Sequence, residues 1–225
     1  MREKTMRVVV TCGPSYEPID EVRRITNFST GELGVLLTHH LVDAGCEVVC
    51  FRGVGATSQE RIAGARMVPF ATNDHLRAEL EGIEKREKIA AVFHAAALCD
   101  YRVKSVHSSC GAEVAATKIP SRAGELTLTL DPSAKLIHEL RDLFPASRIV
   151  GWKYELIGSR ADVLAAAIRQ LNESRSDACV MNGAAYGAGF GLLEPAKKPV
   201  HLTDKPALCA HLADWLMAGK QLVTS

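Results

Sequence analysis

Short apolar runs alternate with amphipathic stretches along most of the chain. Arg7-Val8-Val9-Val10 predicts a buried strand. Leu33, Leu36, Leu37, His40 and Leu41 follow at helical spacing. This helix is expected to open at Ser29 or Thr30, with Ser29 and Glu32 as a capping box, and to stop at Gly45. Cys46 to Phe51 is a second apolar run, so Val8 to Phe51 reads as one β-α-β unit with parallel strands. Arg66 to Phe70 predicts a third strand, which Pro69 favours at an edge. A charged helix is expected from Thr72 or Asn73 to about Lys88, then a fourth strand, Ile89 to His94.

The rhythm breaks from Val103 to Leu130, where no helical period occurs. Ala112–Lys118 and Glu125–Leu130 predict two strands around Pro120, Ser121 and Gly124. Asp131-Pro132 then supplies an N-cap and a proline at N1, for a helix to about Phe144. Arg148 to Trp152 is a core strand, Ser159 and Asp162 open a helix over Ala161–Asn172, and Ala178 to Met181 is a strand. Asn182 to Gly191 reads as a Gly/Ala-rich loop and Val200 to Leu202 as a late strand. Asp204 caps a last helix that Gly219 ends. The expected fold is α/β, a three-layer Rossmann-like mostly parallel sheet. It forms a single domain over residues 1–225, with a β arm inserted at about 103–130.

One connection stands out. About eighteen residues separate the first strand from its helix, where such units usually use two to six. A long connection there is commonly a functional loop. Its bland alternative is a surface excursion that happens to carry arginine and asparagine.

Composition narrows the classes. Hydrophobic content of 47% fits a globular core, and a net charge of +1 with scattered Lys and Arg gives no basic surface for nucleic acid. No apolar run approaches a membrane span, and the N-terminal run is too short for a signal peptide. The seven cysteines include no C-x-x-C pair and several lie in apolar strands, which implies a reducing, cytoplasmic compartment.

The chemical candidates are few. The dinucleotide fingerprint G-x-G-x-x-G is absent after the first strand, and neither a Walker A loop nor a G-x-S-x-G elbow occurs. Ser29-Thr30-Gly31 at a helix N-terminus either binds phosphate or simply caps. Ala95-Ala96-Ala97 ends a parallel strand with small residues, at the edge where open α/β sheets bind ligands. Asp100 follows there, as a ligand contact or a loop cap. Lys118 by itself is one lysine among many, and Asn182 follows a core strand. Phe190 either stacks on a base or anchors its loop to the core.

Taken together these pieces resemble the phosphopantothenate–cysteine ligase family. The resemblance rests on Gly13-Pro14, Glu17-Pro18-Ile19-Asp20, Val22-Arg23, Ile25-Thr26-Asn27-Phe28-Ser29-Thr30-Gly31 and Gly34, in that order. It continues through Ala95 to Tyr101, Lys118-Ile119, Gly151 to Glu155, and the loop from Asn182 to Phe190. It implies that CTP or ATP, with Mg²⁺, activates the carboxylate of 4′-phosphopantothenate as an acyl-nucleotide. Cysteine then displaces the nucleotide. It implies Lys118 and Asn27 as catalytic residues and Arg23 with Asn27 for the acid substrate. Gly13, Ser29, Gly31, Ala96, Asp100, Lys118 and Phe190 would line the nucleotide site. No protein ligand for a metal is assigned. A homodimer is implied, its arm reaching the partner's site, and no FMN is expected, since only about six residues precede the first strand. The sequence departs from the family at Glu21 (usually Pro), Pro120 (a second Lys), Leu156 (Thr) and Gly183 (Asp). These departures keep open a second reading, a catalytically altered nucleotide- or flavin-binding protein. The missing glycine fingerprint disfavours a third, a dehydrogenase-like enzyme.

Overall fold

The computed structural model describes residues 5–58, 60–114, 117–122 and 124–221. The opening run forms β1 (Arg7–Cys12), whose Val8, Val9 and Val10 have no exposed surface. A strand covered on both faces is apolar at every position rather than at alternate ones. A hairpin of β2 (Tyr16–Pro18) and β3 (Arg24–Thr26) follows, then α1 (Glu32–Asp43), β4 (Glu47–Gly53) and β5 (Ala65–Phe70). α2 (Asn73–Glu81) and β6 (Ile89–His94) come next. β7 (Tyr101–Ser108) and β8 (Leu126–Pro132) form an antiparallel arm. The chain closes with α3 (Leu140–Leu143), β9 (Arg148–Tyr154), α4 (Arg160–Ser174), β10 (Ala178–Asn182), β11 (Phe190–Leu193), β12 (Val200–Leu202) and α5 (Lys205–Gln221).

The main sheet has the order β12-β11-β10-β9-β6-β1-β4-β5. β10 through β5 run parallel, and β11 and β12 add an antiparallel border. From β1 the chain first builds outward through β4 to β5, then returns to β6 on the other side. β1 and β6 therefore flank a topological switch point, and open α/β sheets bind ligands in the crevice this creates at the C-terminal ends of the strands.

Alternation along the strands sorts the core into three clusters on the two faces of the sheet. Val8, Val10 and Cys12 face α1 and α5, meeting Leu37, Leu41, Leu208 and Leu212. Val9, Val92 and Ile149 face Leu76, Leu80 and Leu140 of α2 and α3. α4 lays Val163, Ala167 and Leu171 on Cys179 and Met181. The expected three-layer architecture, the parallel β-α-β unit and the edge position of β5 all hold. No helix among the described residues is long and apolar enough to cross a membrane.

Several local expectations do not hold. Ser29 makes no cap; Gly31 is the N-cap residue of α1, in the left-handed region, and Glu32 pairs with Lys205 instead. α2 ends at Glu81 with Gly82 as C-cap, well short of Lys88, because Lys85 turns left-handed and only a short 3-10 turn follows. The arm's first strand is Tyr101–Ser108, not Ala112–Lys118. Residues 115 and 116 of that stretch lie outside the described residues, and Glu113 makes only an isolated bridge to His107. Asp131-Pro132 ends β8 rather than starting a helix, since Arg102 and Tyr101 pair opposite them. Phe190 and Gly191 begin a strand. Gly219 lies inside α5, where a Cβ would come 2.4 Å from Nη1 of Arg148; the guanidinium stacks over Trp215 in the room this leaves.

Candidate functional site

β1 leaves the sheet at Cys12, but its extension keeps pairing with that of β6. Pro14 bridges Ala97. The Ala95 amide donates to the Thr11 carbonyl at 3.0 Å, Ala97 to Gly13 at 2.9 Å and Ser15 to Ala97 at 3.2 Å. The small residues expected to admit a ligand thus form a backbone floor at the switch point. Crowding there demands glycine. Gly13 and Gly31 have φ of 76° and 75°, and a Cβ on either would come within 3.0 Å of the Ala56 Cβ. The loop after β1, the loop after β4 and the start of α1 are therefore in close contact.

Buried polar groups fix this floor. Thr11 Oγ1 accepts from the Ala96 amide at 3.3 Å and lies 2.8 Å from His94 Nδ1. Burial pushes the His94 pKa down to about 4. Ser15 Oγ accepts from the Cys99 amide, and Asn73 Nδ2 donates to the Cys99 carbonyl, both at 2.8 Å. Burial pushes the Cys99 thiol up, so it stays protonated and inert.

The β2–β3 hairpin carries the polar residues of the long connection to this floor. Asn27 Nδ2 donates to the Leu98 carbonyl at 2.8 Å, and Thr26 Oγ1 donates to the Ser15 carbonyl at 2.7 Å. Arg23 is half-exposed and pairs with Asp20 at 2.7 Å. Its two terminal nitrogens also donate to the Ile119 carbonyl, both at 3.1 Å. The residue beside Lys118 is thereby tied to the same loop.

Gly13, Asn27, Gly31 and Ala96 are thus brought to one edge, and the Lys118 segment is joined to the same hairpin through Asp20, Glu21 and Arg23. Lys118 is exposed. Ser29 is half-buried just before α1. Asp100 is exposed, 3.8 Å from Lys135. Phe190 does not join them: its ring is buried in the core packed against α5, the anchoring role rather than the stacking one. On the far side of the hairpin a recess of about 160 Å³ is lined by Glu17, Asn73, Asp74, Arg77, Arg102 and Glu139. There burial, then Asp74, raises the Glu17 pKa, with Arg102 opposing. A second recess, about 480 Å³, lies at the β5 edge beside Arg52, Arg61 and Met67, and none of the sequence-predicted site residues lines it.

Thr11, Ser15, Asp20 and Asn73 are the contributors that spacing does not reveal. Their partners are up to 99 residues away, as between Asp20 and Ile119. Among the described residues no group of three or more His, Cys, Asp or Glu could hold a metal ion.

A family model described as the DNA/pantothenate metabolism flavoprotein C-terminal domain matches residues 3–216. The coenzyme A biosynthesis bifunctional protein CoaBC of Thermococcus kodakarensis is 32% identical over 176 residues, covering 78% of this chain and 41% of that protein. CoaBC of Bacillus subtilis is 29% identical over 82% of this chain and 42% of its own length. The chain thus spans about two-fifths of the length of these curated relatives. Among solved structures, the DNA/pantothenate metabolism flavoprotein from Streptococcus pneumoniae superposes with a TM-score of 0.78 at 22% identity, covering 97% of this chain and all of that one. A Cab2 variant in complex with phosphopantothenate-cysteine gives 0.69 at 14% identity, covering 96% of this chain and 89% of that one. At these identities the superpositions establish the fold.

Proposed function

The chain belongs to the DNA/pantothenate metabolism flavoprotein C-terminal domain family, and on that footing we propose that it ligates cysteine to 4′-phosphopantothenate, driven by CTP or ATP. A carboxylate oxygen of phosphopantothenate bonds to the α-phosphorus as pyrophosphate leaves. The cysteine amine nitrogen then bonds to the acyl carbon as the nucleoside monophosphate leaves, and the amine's spare proton passes to solvent. The observation that carries this reading is the meeting of Asn27, the Ala95–Leu98 floor and the Gly13–Gly31 contact at one switch point. The Cab2 complex with phosphopantothenate-cysteine supports the choice of substrates.

The residues divide the work by charge. Two anions, a carboxylate and a triphosphate, must approach one another, so a cation aimed at the developing charge matters most. Lys118 supplies it. Asn27 orients the carboxylate or acyl oxygen without adding charge, and Arg23 faces the acid substrate. Gly13, Ser29, Gly31 and Ala96 offer backbone at close range to the phosphates, and Asp100 borders the nucleotide. Phe190 anchors the strand behind this site. Mg²⁺ arrives with the triphosphate as its counter-ion. No step here depends on a protein ligand to it.

Tyr101 and Leu130 are 56% and 40% exposed on the arm, and a second copy of the chain is expected to cover them. Light scattering during size exclusion should give the mass of a dimer. For the reaction, the test is pyrophosphate release with phosphopantothenate, cysteine and either CTP or ATP. No release with either nucleotide overturns the proposal.

A further inference from the structure

Asp20 lies in the turn between β2 and β3, and its side chain has no exposed surface. Oδ1 accepts from the Val22 and Arg23 amides at 2.8 and 2.6 Å. Oδ2 accepts from the Arg23 guanidinium at 2.7 Å and from the Ile119 amide at 3.1 Å. Arg23 closes the ring by donating to the Ile119 carbonyl. The amide and the carbonyl of Ile119 are both held by this one pair of side chains. Beside it the Glu21 amide donates to the Thr117 carbonyl at 3.0 Å. The Ile119 side chain is buried while Lys118 and Pro120 on either side of it are exposed. Lys118 thus stands between two pinned neighbours. The Ile119 amide, more than any other group, holds the Asp20 carboxyl below the usual carboxylate range against the opposing effect of burial. The clasp is therefore charged at neutral pH.

We infer that Asp20 is a positioning residue for Lys118: with Arg23 it fixes where the arm presents the Lys118 ammonium. What Lys118 does there rests on the ligase reading; the clasp itself rests on geometry alone. The carboxylate is needed because all four bonds arrive as donors. An asparagine would turn its N–H groups toward other donors in either orientation. Asp20→Asn is therefore a nearly isosteric probe.

Two measurements on the full chain test the inference. Amide exchange without substrate should be at least about tenfold faster at Ile119 in Asp20→Asn, with the strands of the main sheet unchanged. Turnover should fall about 10- to 100-fold in kcat with the nucleotide KM within about twofold, as misplacement of a group acting in the transition state requires. In a Lys118→Ala background the same Asp20 change should have almost no further effect on kcat. A purely structural Asp20 would lower turnover equally in both backgrounds, and that result overturns the inference. Unchanged exchange at Ile119 overturns it as well. Absence of pyrophosphate release by the unsubstituted protein counts against the ligase reading, while the exchange measurement still decides the clasp.

Discussion

His94 places an ionisable ring at the end of β6, 8% exposed, within hydrogen-bond distance of the Thr11 hydroxyl. Its folded pKa of about 4 lies below the ordinary value of 6.5. Between those two values the unfolded chain binds the proton and the folded one does not, so stability falls as pH falls. The loss is complete near pH 4 and amounts to about 3 kcal/mol by linkage. Urea unfolding at pH 7, 5.5 and 4 should show this slope, and His94→Gln should flatten it; an equally steep variant rules the assignment out. The two residues proposed to act on the substrates behave in the opposite way. Lys118 and Asn27 are exposed, so substitution with alanine should leave the unfolding midpoint nearly unchanged. Loss of an electrostatic donor or cation from the transition state should lower kcat by about 10²- to 10³-fold in each variant. Normal turnover in both would remove them from the site.

At the scale of elements, α1 shows how closely packing dictates sequence. A Cβ at Gly34 would stand 2.2 Å from the Cβ of Cys12, because the helix rests directly on the end of β1. Gly34→Ala should therefore destabilise the protein by about 1–3 kcal/mol through overpacking. Adding Cys12→Gly should restore part of that loss, and Cys12→Ala, which removes the Sγ 3.1 Å away but keeps the Cβ, should restore less. Denaturant midpoints of the parent and the three variants decide it. The same helix shows what a local reading can and cannot reach. The capping box of Ser159 and Asp162 was legible because both halves of it lie within one turn, and it forms as expected. Ser29 and Glu32 carry the same signature, but the contact of Gly31 with Gly13 and Ala56 dictates the backbone there, and Glu32 turns to Lys205 on α5. Buried parallel strands were legible from their unbroken apolar runs. The arm's place and its second strand were legible too; its first strand was not, because the arm's strands are partly exposed and their register is set by each other rather than by a core face. Glycines and small residues marked the switch point where the candidate site lies; the carboxylate of Asp20, matched to an amide 99 residues away, left no periodic trace.

At the scale of the molecule, the proposed ligase reading assigns binding to the sheet and reaction to the arm. Among the described residues, none in the three core clusters comes from 101–132, so those of the arm add nothing to the core that holds the sheet. Val103 and Leu130 face one another across the arm's base, where a two-residue turn fits an antiparallel pair. Replacing residues 104–129 with Asn-Gly should therefore leave the sheet folded, with a thermal midpoint within about 5 °C of the parent, since roughly 1 kcal/mol corresponds to a few degrees for a chain of this length. The shortened protein keeps Gly13, Gly31 and the Ala95–Leu98 floor and should still bind nucleotide in a calorimetric titration. It loses Lys118 together with the Ile119 peptide that Asp20 and Arg23 grip, and pyrophosphate release should fall by at least about 10³-fold, the upper end of what one transition-state charge contributes. Retained turnover would mean that the reacting cation comes from the sheet edge itself. Loss of nucleotide binding along with turnover would mean that the arm builds the crevice rather than closing it.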